Sequence, residues 1–83
     1  MRTFEAAGGE RWVAGAREEA TPRHHGRWYM IMHPEHDEGR VLALPEIRWQ
    51  TRATAERTVE TMSLFELRRR LDIARGRSTT GAV

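Results

Sequence analysis

The sequence holds no cysteine, which excludes disulfides and thiolate metal sites. None of its apolar runs approaches the roughly 20 residues needed to cross a bilayer as a helix. The first nine residues contain Glu5 and end Ala6-Ala7-Gly8-Gly9. They lack the apolar stretch of a secretory signal, so a cytoplasmic location is the default expectation and no membrane is expected as a partner. Lysine is absent too: all 14 basic residues are arginine. Coding bias in a GC-rich genome explains this, and so does selection for planar, bidentate donors to phosphate or carboxylate. Both explanations stay open.

Aromatic residues make up only 7% of the chain. With 83 residues, about 60–65% of the unfolded surface is buried on folding. Phe4, Trp12, Trp28, Tyr29, Trp49 and Phe65 must then supply much of the core, leaving little volume for an enclosed catalytic cleft. Charge is unevenly spread. Residues 1–40 carry six Arg against seven Asp and Glu, a net −1, and residues 41–83 carry eight against five, a net +3. A basic C-terminal half favours an acidic partner.

Along the chain, residues 1–9 read as a flexible N-terminus and 10–75 as a single α+β domain, followed by a disordered tail at 76–83. Within the domain, Trp12, Val13 and Ala16 at i, i+1 and i+4 predict a short helix over 10–20, which Thr21-Pro22 ends. Residues 27–32 alternate as a strand. Both faces are apolar, with Trp28, Met30 and Met32 on one side and Tyr29 and Ile31 on the other, so the strand is central or doubly covered. Residues 33–40 are polar, with Pro34 and Gly39, and read as a loop. A second extended stretch runs over 41–50. Pro45 marks an edge, bulge or bend, after which Ile47 and Trp49 point inward and Glu46, Arg48 and Gln50 outward. The expected fold is thus α+β: a short N-terminal helix, a small antiparallel sheet of two to three strands, then two short C-terminal helices.

The first of these helices is capped by Thr51 and runs to Met62, with Ala55, Val59 and Met62 as its buried stripe. Ser63 caps the second, and Glu66 completes a capping box. This helix runs to Arg75, with Gly76 as its stop. Leu64, Leu67, Leu71 and Ala74 form its core face. Phe65, Arg69 and Ile73 fall opposite, covered by a neighbouring segment or forming a partner surface. Within the Arg68-Arg69-Arg70 run, Glu66 can pair with Arg70 and Asp72 with Arg68. Arg69, Arg75 and Arg77 are left without obvious local partners, as a nucleic-acid surface would have them.

His24, His25, His33 and His36, with Glu35, Asp37 and Glu38, are the only metal-like cluster. Pro34 opposes a helical zinc motif there, and loop histidines at the surface are the expectation. No nucleophile elbow, phosphate-binding glycine loop or thiol is present, so no catalytic residue, metal, cofactor or small-molecule substrate is expected. Trp28, Tyr29 and Trp49 are read as core, with base stacking as the alternative.

Gly26-Arg27-Trp28 and Ile47-Arg48-Trp49-Gln50-Thr51-Arg52-Ala53-Thr54-Ala55-Glu56 together resemble the arm-type DNA-binding domain of phage-integrase-like tyrosine recombinases. The likeness covers residues 26–62. It implies a small sheet that enters the DNA major groove ahead of a helix, with Arg27, Arg48 and Gln50 facing the groove. The sequence departs from that pattern in its long acidic loop (Glu35, Asp37, Glu38) and in Pro45, and no recombinase catalytic domain is read in these residues.

Two functions follow as expectations. The first is a small, non-enzymatic DNA-binding or nucleic-acid accessory protein of phage or plasmid type, using Arg27, Arg48, Gln50, Arg52, Arg69, Arg75 and Arg77. A helix-turn-helix made of the two C-terminal helices is disfavoured by their short junction at Ser63. The second is a protein-interaction module or homodimer that uses Phe65, Arg69 and Ile73.

Overall fold

The computed structural model describes the backbone of residues 1–21 and 24–81, with side chains for 1–19 and 27–77. Four strands, β1 (Arg2–Glu5), β2 (Arg11–Thr21), β3 (His24–Pro34) and β4 (Leu42–Trp49), precede two helices, α1 (Arg52–Thr61) and α2 (Leu64–Gly81). The strands form an antiparallel meander in the order β1-β2-β3-β4. This is an α+β fold as expected, but with four strands, and a strand stands where the N-terminal helix was predicted.

The correction at 10–20 has a clear cause. Trp12, Ala14 and Ala16 alternate with Val13, Gly15 and Arg17, a strand pattern as well as a helical one. Pairing decides between them: Arg11 to Ala14 lie between β1 and β3, with Phe4 opposite Trp12 and Met32 opposite Ala14. Tertiary context overrides the helix preference of Arg17-Glu18-Glu19-Ala20. Pro22, the predicted helix stop, lies outside the described residues.

Residues 1–9 form a strand and a turn. Ala6 N–H donates to Glu10 O at 2.7 Å and Gly9 N–H to Ala6 O at 2.9 Å, closing a tight hairpin loop. Gly9 occupies the left-handed region, φ 91°, which a side chain would strain. Two arginines then fasten β1 to the helices. Arg2 donates to Glu60 O and Met62 O at the open C-terminal end of α1, where helix carbonyls lack internal partners. Arg68 Nε donates to Glu5 O at 2.9 Å, in place of the expected pairing with Asp72.

β3 is central, as read. It continues through His33 and Pro34, which were assigned to the loop; the turn proper begins at Glu35. On β4 the register breaks: Leu44 faces Met30 and Arg48 faces Tyr29, so Pro45, Glu46 and Ile47 form a bulge. The proline stands where no ladder hydrogen bond is demanded of it.

Both helices cover one face of the sheet. Trp12, Ala14, Met30, Met32 and Leu44 from the strands close against Val59, Leu67, Leu71 and Ala74 from the helices, all buried. Thr51 caps α1 by accepting from Thr54 N–H at 3.2 Å, and Ser63 caps α2 by accepting from Glu66 N–H at 3.1 Å. α2 departs from expectation twice. Leu64, assigned to the core face, is 40% exposed. The helix also passes through Gly76 and ends at Gly81; residues 82–83 lie outside the described residues. No described helix is long and apolar enough to cross a membrane.

Candidate nucleic-acid interface

Side chains alternate across a strand, so the face opposite the helices can be read from the register. Arg17 of β2, Tyr29 of β3 and Arg48 of β4 form one row across it. Arg27 lies two pairs further toward the β2–β3 tip, opposite Glu19. Arg27, Arg48 and Gln50 line one cleft of about 280 Å³, together with Trp49. These are the three side chains that the recombinase resemblance assigned to a DNA groove. Local structure explains their meeting: the Pro45 bulge resets β4 so that Arg48 and Gln50 share the parity of the uncovered face.

Arg48 Nη1 reaches across β3 to Glu19 Oε2 at 2.6 Å, and its Nε donates to Pro45 O at 2.7 Å. The ion pair is partly exposed and so worth about 0–1 kcal/mol. Arg27 and Arg17 are exposed. The centre of the face is apolar, with Val13, Tyr29 and Ile31. Its far end is acidic: Glu35 pairs with Arg11 at 3.1 Å and leads into the exposed turn of Asp37 and Glu38. The surface is therefore polarised, basic toward the hairpin tip and acidic toward the β3–β4 turn.

The other four predicted cations lie elsewhere and are engaged. Arg52 pairs with Glu56 at 2.9 Å and stands 6.0 Å from the Trp28 ring on the helix side. Arg69 pairs with Glu66 at 3.1 Å. Arg75 pairs with Glu10 at 2.9 Å, its guanidinium 4.7 Å over the buried Trp12 indole. Arg77 grips Glu46 with two bonds, 2.8 and 2.5 Å. Thus Arg69, Arg75 and Arg77, read as lacking local partners, each hold a carboxylate, two of them from the sheet region. Those two are contacts across long sequence separations, invisible to helix spacing, whereas Arg69 with Glu66 is an i, i+3 pair that the spacing itself offers. Sequence reasoning missed Arg17, because the predicted helix hid the strand parity that places it beside Tyr29.

Of the aromatics weighed for stacking, Trp28 and Trp49 face each other on the helix side, and Trp49 packs against the core. Tyr29 turns to the uncovered face, and Trp49 also lines the Arg27–Arg48 cleft from the end of β4. His33 is buried at the end of β3, its Nδ1 bonded to Pro34 O at 2.7 Å, and His36 is in the exposed turn. The side chains of His24 and His25 lie outside the described residues. Among the described residues no three His, Asp or Glu side chains are grouped to hold a metal ion.

No family model, no curated protein and no solved structure matches the chain.

Proposed function

We propose that this is a small, non-enzymatic DNA-binding protein, accessory or regulatory in role, that presents the uncovered face of its sheet at the β2–β3 tip. One observation carries the reading: Arg27, Arg48 and Gln50, from separate strands and a strand end, converge on a single cleft. Arg17 and Tyr29 extend it across the sheet. Beyond the reach of β1 and β4 the sheet narrows to β2 and β3 alone. A two-stranded ribbon fits the major groove, which is about 12 Å wide. Arginine supplies bidentate donors to phosphate and guanine, and Gln50 a donor and an acceptor for a base edge. Arg52, Arg69, Arg75 and Arg77 serve the fold in this reading.

Titration of a labelled duplex by fluorescence anisotropy tests the proposal. Three phosphate contacts, from Arg17, Arg27 and Arg48, predict log K falling with log salt at a slope of about −2.7. Arg27→Ala with Arg48→Ala is expected to weaken binding about 10- to 100-fold without unfolding the protein. The same substitutions at Arg69 and Arg77 should leave affinity within about twofold. Absence of duplex binding at about 50 mM salt overturns the reading, as does equal loss from both pairs of substitutions.

A further inference from the structure

The outer face of α2 plays no part in that surface. Phe65 is 77% exposed there. With Arg68, Arg69, Asp72 and Ile73 it lines a groove of about 500 Å³. At about 100° per residue, Phe65, Arg69, Asp72 and Gly76 fall within about 60° of one another. Gly76 is exposed, and nothing among the described residues lies within 4 Å of where its Cβ would stand. A glycine inside a helix costs about 1 kcal/mol relative to alanine, so its place in the body of α2 calls for a use of the empty space.

We propose that this face is the interface of a homodimer, with the two α2 helices antiparallel and Phe65 of each seated over Gly76 of the other. The face is complementary to itself about a point between Arg70 and Leu71. The register that sets Phe65 against the second copy's Gly76 also sets Arg69 against its Asp72, with Arg68 alongside. A two-fold axis repeats both contacts, as an isologous interface requires. A parallel arrangement would instead oppose Phe65 to Phe65 and Arg69 to Arg69. The charges are available for exchange. Asp72 is exposed and forms no ion pair among the described residues. Arg69 holds Glu66 Oε1 at 3.1 Å, an oxygen that Arg70 already takes at 2.7 Å. Ile73 flanks the line and closes it against water. A single helix face falls short of the roughly 800 Å² per partner of a standard interface, so the pairing is weak and concentration-dependent.

Sedimentation equilibrium of the nucleic-acid-free chain, from about 1 μM to about 1 mM, tests it. The weight-average mass should climb from the 9.6 kDa of one chain toward twice that value. Phe65→Ser should hold it at the monomer while the circular dichroism spectrum is kept. Gly76→Leu should also give a monomer, yet with a raised melting temperature, because leucine favours the helix; a merely structural glycine would not separate the two readouts. Arg69→Asp or Asp72→Arg alone should weaken pairing, and the two together should restore it. A wild type that stays monomeric throughout overturns the proposal, as does a Phe65→Ser or Gly76→Leu variant that dimerises unchanged. Arg27→Ala with Arg48→Ala should dimerise as the wild type does, so failure here and failure of the DNA-binding reading are told apart.

Discussion

The two faces of the sheet divide the molecule's work. On the helix side Trp12, Ala14, Met30, Met32 and Leu44 are buried in one apolar cluster, with the Arg75 guanidinium stacked over Trp12. On the other side Val13 is buried among the strands themselves, Tyr29 and Ile31 are half-buried, and Arg17, Arg27 and Arg48 stand in solvent. Stability is concentrated on the first face, leaving the second free to vary in chemistry. The sharpest break of this contrast is a core truncation. Leu71→Ala, opposite the sheet, should cost about 2–5 kcal/mol, a large part of the about 5–15 kcal/mol expected of a domain. Arg17→Ala on the uncovered face should cost no more than about 0.5 kcal/mol. Urea denaturation of both variants checks the pair; equal shifts in midpoint would erase the distinction.

A middle-sized effect sharpens it. Glu19 opposes Arg27 in register and binds Arg48 at 2.6 Å, so it competes with any phosphate for both. Glu19→Gln should raise duplex affinity about 3- to 10-fold and steepen the salt dependence, with little change in stability because the pair is partly exposed. Glu35→Gln, at the acidic end of the same face, should raise affinity by less than about twofold, since its distance exceeds a Debye length of about 8–10 Å from the basic tip. Anisotropy titrations of the two variants at one salt concentration compare them directly. Equal gains would mean that general charge, not the cleft, governs binding.

What could be read from the residues follows from how local each determinant is. The Thr51 and Ser63 caps, the Ala55–Val59 stripe and the alternation of β3 are set by residues within a turn or a strand of one another, and they emerged as expected. The bulge at Pro45 was announced by the proline itself. The strand β2 was not, because small residues at Ala14, Gly15 and Ala16 blur a period of two with one of 3.6, and only pairing with β1 and β3 resolves them. Gly8-Gly9 carried the missing hint: a glycine pair between Phe4 and Trp12 is a hairpin signal as well as a loose end. For the candidate site, Arg27, Arg48 and Gln50 came from the recombinase resemblance, with Arg48 and Gln50 also turned outward by the alternation after Pro45. The engagement of Arg75 and Arg77 was not legible, since their carboxylates, Glu10 and Glu46, are 65 and 31 residues away.

That last engagement yields the smallest predicted effect. The Arg77 guanidinium, bonded to both oxygens of Glu46, holds that carboxyl below its ordinary value, outweighing the opposing effect of burial. A carboxyl whose pKa is lower in the folded chain than in the unfolded one binds fewer protons when folded. Its stabilising contribution is therefore present above the ordinary carboxylate range and is lost as the pH falls through the lowered folded value. The pair is well exposed, so solvent and salt screen most of this contribution. Glu46→Gln should leave the fold and the Arg27–Arg48 cleft intact. It should flatten the acid limb of stability slightly at low salt, and added salt should remove the difference between variant and wild type. Thermal melts across the acid range at two salt concentrations measure this. A large loss at neutral pH would instead place the Arg77 clamp among the contacts that hold α2 to the sheet, and would move part of the domain's stability off the buried face.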